Sequence, residues 1–409
     1  MQHNLDLNRL KTIGWLHAPQ TQRLIAAFPN PDLNLRFVGG CVRDALLGIE
    51  AEDIDLATPF KPHEVQALLT AANIKTVPLG LEHGSLVAIV NHKPFQITTL
   101  RADIETDGRH AKVAFTTCWQ EDAKRRDFTF NALYLAPTGD LEDPFEGCQD
   151  LTSGIVRFIG DPEARIQEDY LRILRFFRFF ARFGKGNPDA AGLQACGKYA
   201  AQLEFLSGER IHAEMMKLLG TQHPEPALQA MQDVGILEVL LEPKSADARS
   251  IDFLRSLIAL EEIYKVAGNP LARLVSLAHR NRAQLSRIMD RWRFSKNERQ
   301  FVERLVEAQQ LIQDPRRLIY GFGPEIALYA ALIEEARHPE VPQLASLMAI
   351  LKNWRNPIFP LQGKDIVRLG LTPGPRIGEV LAEVEQWWIR ENFTPDKKAC
   401  LEKAAEFLA

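Results

Sequence analysis

Two aspartates stand two residues apart in the run Asp53-Ile54-Asp55-Leu56-Ala57-Thr58, which reads as a strand. On a strand, positions i and i+2 share one face. Two carboxylates side by side repel unless a cation lies between them or one of them holds a proton. A magnesium ion prefers oxygen ligands and phosphate, so it suits such a pair. An isolated Asp-x-Asp is a frequent pattern, usually two solvated side chains near a turn. What precedes this one changes the balance. Leu35-Arg36-Phe37-Val38 reads as a strand, Gly39-Gly40 as a turn, and Val42 to Leu47 as the start of a helix. That order sets backbone N–H groups where an anion can sit, with Gly40 in the turn and Arg43 on the first helical turn within reach of a phosphate. A phosphate cradle followed closely by a metal pair points to phosphoryl or nucleotidyl transfer.

The elements that must carry these residues differ along the chain. Its 409 residues imply two or three domains. In the first 150 or so, short β-rich runs alternate with helices. Ser85–Val90 and Phe95–Leu100 flank Asn91-His92-Lys93-Pro94, which predicts a hairpin with a four-residue loop. A last strand is expected around Asn131–Leu135. After Asp143-Pro144-Phe145 helical periodicity dominates, with one strong helix over Glu168–Phe183 and another over Glu209–Leu219, capped by Ser207. The expected fold is α+β: a head with a mixed sheet and helices over 1–150, a helical neck over 151–225, and a helical body and tail over 226–409.

Composition narrows the class. The chain is 46% hydrophobic and 25% charged, which excludes a mostly disordered protein, a collagen-like chain and a coiled-coil rod. A formal net charge of −4 argues against a protein that coats nucleic acid, yet a local basic stripe suffices for phosphate contacts. No apolar run approaches the ~18 residues of a membrane span, and the first residues lack the pattern of a signal peptide. A cytoplasmic protein without membrane or disulfide partners is therefore expected. Cys41, Cys118, Cys148, Cys196 and Cys400 form no CxxC pair and read as reduced thiols.

Phe37-Val38-Gly39-Gly40-Cys41-Val42-Arg43-Asp44 and Asp53–Thr58 together resemble the head motif of class II tRNA nucleotidyltransferases, the family of bacterial CCA-adding enzymes and poly(A) polymerases. Three further blocks agree in order. Arg125-Arg126-Asp127-Phe128-Thr129-Phe130-Asn131-Ala132-Leu133 is similar to the second block of that family. Glu168-Asp169-Tyr170-Leu171-Arg172-Ile173-Leu174-Arg175 resembles its base-reading block, and Ser207-Gly208-Glu209-Arg210-Ile211 the block that follows. The likeness is strong from about residue 35 to 220 and weaker beyond, although Leu361–Asp365 and Leu371–Pro375 are similar to a C-terminal segment of the family. It implies tRNA and nucleoside triphosphates as partners, and CCA addition to the tRNA 3′ end from CTP and ATP.

Asp169 and Arg172, three apart on one helix, share a face. As a plain surface ion pair they are worth only about 0.2–0.5 kcal/mol. As a pair offered to a base they supply one acceptor and several donors. Cytosine presents its N4 amino group beside N3, and adenine its N6 amino group beside N1, so both match. Uracil and guanine present the reverse polarity and leave buried groups unpaired, which a hydrogen-bonding site rejects strongly. The resemblance implies that this pair acts as a protein-side template. Farther along, Arg172, Arg175, Arg178 and Arg182 fall within ~120° of arc. The reading taken for Arg175 and Arg178 is a cationic stripe facing triphosphate and the RNA 3′ end, while Phe176, Phe177, Phe179, Phe180 and Phe183 form core. By resemblance Arg126 contacts nucleotide; otherwise it pairs with Asp127 or Glu121. Asn131 reads as a ribose contact or a turn residue.

The mechanism so implied places two Mg2+ ions on Asp53 and Asp55, one activating the primer 3′-hydroxyl and one neutralising the triphosphate, with no covalent intermediate. One position departs from the family pattern. Gln96 stands where an acidic residue is common, and an amide is no base; Glu82 and Asp103 are the nearby acids that could substitute. The alternatives are a poly(A) polymerase or partial adding enzyme of the same chemistry and a catalytically impaired RNA-binding protein. Leu79–Ser85 lacks the Arg/Lys-rich stretch associated with the poly(A) branch. Partial addition depends on the segment Asp103–His110.

Overall fold

A computed structural model describes all residues except 1–4, 6, 52, 81–83, 107–110, 242–248, 279–281, 341–342 and 408–409; the side chains of 8, 103–106 and 111–113 also lie outside the description. Glu82, the side chain of Asp103 and most of the Asp103–His110 segment therefore fall outside it. The chain divides into two compact units, 1–243 and 244–409.

The first unit is built on a seven-stranded mixed sheet. Its strands are β1 (Arg36–Val38), β2 (Asp55–Thr58), β3 (Lys75–Pro78), β4 (Ser85–Val90), β5 (Lys93–Thr99), β8 (Tyr134–Leu135) and β9 (Leu141–Glu142). A separate two-stranded ribbon joins β6 (Arg101–Thr106) to β7 (Ala111–Phe115). The sheet order is β3-β4-β5-β2-β1-β8-β9, with β2 and β5 parallel and the other neighbours antiparallel. Alternation sets its faces: Leu86, Ala88 and Val90 of β4 and Phe95 and Ile97 of β5 are buried. That side packs on the helices Pro19–Ile25 and Pro62–Ala71. Asp55 lies directly beside Gln96 in the parallel register, so both side chains leave the sheet on its other face.

Three local expectations change. Asn91 and His92 both adopt positive φ, 48° and 65°, so β4 and β5 are joined by a two-residue turn, and Lys93 and Pro94 belong to β5 rather than to a loop. Around Asn131 the chain makes a short 3-10 turn, Thr129–Asn131, and only Tyr134–Leu135 pairs as strand. The helix expected over Glu168–Phe183 is two helices, Pro162–Glu168 and Leu171–Phe183. Asp169 between them is extended (φ −157°, ψ 106°), and its Oδ1 accepts the Leu171 N–H at 3.0 Å. A short carboxylate side chain competes for backbone donors in this way and breaks a helix where periodicity alone continues it. Ser207 does precede the helix Gly208–Leu219, but by position only, without a side-chain capping bond.

The helix Leu171–Phe183 meets the sheet-bearing head through its phenylalanines. Phe176, Phe177, Phe179 and Phe180 are buried, as are Phe128, Phe130 and Phe158 from the chain before it. Phe128 lies 4.8 Å from Phe158, 5.4 Å from Phe179 and 5.9 Å from Phe130 between ring centroids, and Phe158 stacks on Phe176 at 5.6 Å. The second unit is helical. Its helices include Arg249–Tyr264, Lys296–Ala308, Pro324–Arg337 and Pro375–Arg390. Trp292 is fully buried there, and Arg273 is paired with Glu261 out of solvent at 2.6 Å. Trp388 packs with Tyr320, Phe359 and Phe393, and Trp387 lies partly buried against the same cluster, so the tandem tryptophans serve packing. Replacing Phe128 by Ala removes the ring shared by both sides of the aromatic seam. Urea unfolding of that variant is expected to show a loss of about 3–5 kcal/mol.

Candidate active site

The turn after β1 is made by Gly39 at φ +72° and ψ −126°, a conformation in which a Cβ is strained. Two guanidinium groups face this turn. A Cβ on Gly39 would lie 3.9 Å from Nη1 of Arg126, and one on Gly40 would lie 3.7 Å from Nη2 of Arg43. The thiol of Cys41 donates to the carbonyls of Val38 (3.4 Å) and Asp55 (3.7 Å), tying the turn to β2. Burial pushes that thiol up to about 12, so it stays protonated.

Asp55 opens β2, whereas Asp53 lies just before the strand and is exposed, so the expected strand face holds one of the two carboxylates rather than both. Burial raises the Asp55 carboxyl above the ordinary range, the charge of Asp53 raises it further, and Arg126 offsets part of the shift. Asp53 is thus close enough for its charge to act on Asp55. Two hard oxygen donors at the rim of a sheet suit a magnesium ion that keeps several waters. Gln96 offers a neutral carbonyl beside them, not a third charge.

Arg126 pairs with neither Asp127 nor Glu121. Its Nη2 donates to Asp122 at 3.0 Å and its Nε to the Tyr134 hydroxyl at 3.1 Å, while Glu121 accepts from Thr116. Asp127 instead binds the helix Leu171–Phe183, the neck helix. It is buried, accepts from Asn131 Nδ2 (2.9 Å), the Phe128 N–H (2.9 Å) and Arg175 Nε (2.6 Å). Burial pushes its carboxyl up, but the Arg175 charge and these hydrogen bonds win and hold it down to about 2. Asn131 in turn accepts from Arg43 Nη1 at 2.7 Å, so it is a bridge in the fold. Arg43 also pairs with Asp44 at 2.8 Å, and Asp44 with Arg182 at 3.1 Å. Arg178 donates to Glu214 and stacks 4.0 Å over Phe179. The arginines of the neck helix are thus not a free stripe: each has an acid partner, because a guanidinium this close to a packed aromatic seam needs one. Arg175 keeps the most open position of the two assigned, with 31% of its side chain exposed against 12% for Arg178.

Asp169 and Arg172 do not pair with each other. Asp169 accepts two bonds from Arg210 Nη2, at 2.9 and 2.7 Å, in addition to the Leu171 N–H. Arg172 donates from Nη1 to the Arg165 carbonyl (2.8 Å) and Glu168 (2.5 Å), and from Nη2 to the Arg125 carbonyl (3.2 Å). A carboxylate has about four lone-pair sites and a guanidinium five N–H donors. Asp169 is thus left with an acceptor site, and Arg172 with donors on Nε and Nη2. The Arg125 carbonyl is one residue from Arg126, so the neck group and the glycine-turn group meet on adjoining residues of one segment.

A model of the poly A polymerase head domain matches residues 35–157, and two further family models, of a polymerase A RNA-binding site and of a second tRNA nucleotidyltransferase domain, match 188–248 and 271–404. A CCA tRNA nucleotidyltransferase 1 of Danio rerio, described as mitochondrial, is 33% identical over 393 residues, covering 92% of this chain and 88% of its own. A CCA-adding enzyme of Ligilactobacillus salivarius is 32% identical over 384 residues, with 91% and 92% covered. The crystal structure of the Bacillus stearothermophilus CCA-adding enzyme in complex with CTP superposes with a TM-score of 0.70 at 25% identity, over 95% of this chain and 98% of that one. The chain belongs to the CCA tRNA nucleotidyltransferase family. The same head and helical architecture expected from the motif blocks is thereby established.

Several residues of this nucleotidyltransferase site carry weight that motif reading did not assign: Asp122, Tyr134, Glu214 and Arg210. Asp122 was within reach, since it stands three and four residues before Arg125 and Arg126, which follow the short helix Trp119–Lys124 that carries it. Arg210 lies within the Ser207–Ile211 block, but nothing in its spacing pairs it with Asp169, and neither Tyr134 nor Glu214 carries a local signal for its arginine partner. Among the described residues no helix is long and apolar enough to cross a membrane, and the five cysteines are free thiols. The raised Asp55 carboxyl has a consequence for stability. Its folded-state value lies above its unfolded one, so its contribution is full below the unfolded value and is lost as pH rises through the folded one. Asp55→Asn is therefore expected to unfold at higher urea than the parent at pH 7, with the difference shrinking toward about pH 4.

Proposed function

We propose that this chain adds cytidine and adenosine to the 3′ end of tRNA from CTP and ATP, releasing pyrophosphate and using no nucleic-acid template. The observation that carries this reading is the contact of Arg172 with the Arg125 carbonyl. It sets the base-facing residues one step along the chain from Arg126, which faces the Gly39 turn and acts electrostatically on Asp55. One nucleoside triphosphate can then touch both groups. Asp169 accepts the exocyclic amino group shared by cytosine and adenine, and Arg172 donates to the neighbouring ring nitrogen. Uracil and guanine meet donor with donor and acceptor with acceptor.

The N–H groups of the Gly39–Gly40 turn and Nη1 of Arg126 face the triphosphate. Asp53 and Asp55 would hold Mg2+, which supplies activation of the 3′-hydroxyl and charge neutralisation at the leaving pyrophosphate. Arg175 lends positive potential at the cleft edge. Arg43 and Arg178, whose guanidinium groups are satisfied within the fold, support nucleotide binding by holding the head against the neck helix. We assign the head to 1–150, the neck to 151–225 and the tRNA-gripping body and tail to 226–409, in a protein working in the cytoplasm; the free thiols support a reducing compartment.

The direct test incubates the protein with tRNA lacking its 3′ CCA, Mg2+ and one labelled nucleotide at a time. Incorporation of two C residues and then one A is expected, with Arg172→Ala lowering kcat/KM for both nucleotides by about 100-fold. Long A tails would show a poly(A) polymerase instead, and tRNA binding without incorporation would show an RNA-binding protein. A further expectation concerns Gln96. Gln96→Glu sets a third carboxylate directly beside Asp55, so Mn2+ binding followed by paramagnetic resonance is expected to tighten several-fold, by about 1 kcal/mol or more.

A further inference from the structure

Among the described residues Asp122 is the most densely bonded carboxylate of the head, and it is 1% exposed. Its two oxygens serve different partners. Oδ1 accepts from Arg125 Nε (2.8 Å) and Nη2 (2.6 Å) and from the Arg101 N–H (3.3 Å). Oδ2 accepts from Arg126 Nη2 (3.0 Å) and Nε (3.3 Å) and from the Tyr134 hydroxyl (2.7 Å). The Tyr134 hydroxyl also accepts from Arg126 Nε at 3.1 Å, and the Arg126 guanidinium lies 5.2 Å from the Tyr134 ring centroid. Burial pushes the Asp122 carboxyl up, but Arg126 and Arg125 outweigh it, so it is ionised. Burial keeps the phenol of Tyr134 above its ordinary range, so it is a donor.

One edge of the Arg126 guanidinium is therefore fully engaged from behind. The other is not: among the described residues Nη1 has no hydrogen-bond partner, and it points at the Gly39 turn. A free arginine side chain has many rotamers, and fixing it on binding costs conformational entropy. Here the fold has already fixed it. We propose that Asp122 and Tyr134 are positioning residues that aim Arg126 at the triphosphate. The proposal rests on the nucleotidyltransferase reading and adds a residue pair to it. Because the triphosphate is common to CTP and ATP, the pair serves both nucleotides equally and takes no part in choosing the base.

Tyr134→Phe is the sharper variant, since it leaves Oδ1 and Arg125 untouched and keeps the ring. Equilibrium dialysis with labelled CTP and with labelled ATP, in the absence of tRNA, is expected to show about three- to tenfold weaker binding of each, by the same factor. Addition assays should show the same loss in kcat/KM for both nucleotides and an unchanged KM for tRNA. Asp122→Asn should lose more, since its amide faces Arg126 with a donor. The decisive measurement is the cycle of Tyr134→Phe, Arg126→Ala and the double variant. If Tyr134 acts through Arg126, its removal adds nothing once Arg126 is gone. Additive losses, unequal losses for CTP and ATP, or an unchanged nucleotide affinity overturn the proposal, and a matched urea midpoint shows that Tyr134→Phe is folded. A protein that binds nucleotides but adds none to tRNA would sink the functional reading while leaving the dialysis cycle to decide this one.

Discussion

A charged group buried at the seam between the sheet and the neck helix determines how the site is held. Asp127 could not stay ionised there alone, because removal from water costs a carboxylate several kcal/mol. It stays so because the helix Leu171–Phe183 brings Arg175 to it and the chain around it supplies Asn131 and the Phe128 N–H. Each group that stabilises Asp127 is held by another element. Asn131 ties it to Arg43 on the glycine-turn helix, Arg43 to Asp44, and Asp44 back to Arg182 on the neck helix. The loop of hydrogen bonds and ion pairs closes on itself. The glycine turn and the neck helix cannot shift independently without leaving a charge uncompensated.

The aromatic seam gives that circuit its low-dielectric setting. Phe179 sits against Arg43, Arg175 and Arg178, with guanidinium-to-ring distances of 5.1, 5.3 and 4.0 Å. Rings and guanidinium groups alternate, and each arginine buries its apolar stem while its head finds a carboxylate. This explains why a helix so rich in arginine is compatible with a buried face. The positive charge assigned to RNA from the sequence pattern is in large part consumed inside the fold. What remains toward solvent includes the exposed parts of Arg175 and Arg182 and the free edge of Arg126.

The order of elements, the strand–Gly39-Gly40–helix unit and the division between a mixed sheet and a helical remainder were legible from residue types and spacing. These depend on local rules: positive φ for glycine, alternation for strands and apolar periodicity for helices. The break at Asp169 was not legible, because periodicity runs through it while one side-chain bond to the Leu171 N–H decides the backbone. Motif blocks singled out Asp55, Arg126, Asp169 and Arg172 as candidates. They could not say that Asp169 would be held by Arg210 from 41 positions away, or Arg178 by Glu214 from 36. Such partners are chosen by tertiary packing and leave no trace in spacing. The short hairpin turn at Asn91-His92 is the opposite case, since asparagine at positive φ is a local signal that was available and passed over.

The proposed base-facing pair is oriented by the fold before any base arrives. Arg210 and the Leu171 N–H orient Asp169, and Glu168 with two backbone carbonyls orients Arg172, so binding need not reorganise either side chain. Preorganised donors and acceptors act at full strength on whatever meets them. The spare acceptor and spare donors left on this edge describe a pattern common to cytosine and adenine. On the proposed reading the edge separates these two bases from the other two, and it has no means of ranking the two it accepts. In a protein that adds C before A, the order must come from what differs around that edge as the primer grows: the room left for a purine, and the distance of the new 3′-hydroxyl from Asp53 and Asp55. On the proposed reading, a fixed reader and a moving primer end account for that order.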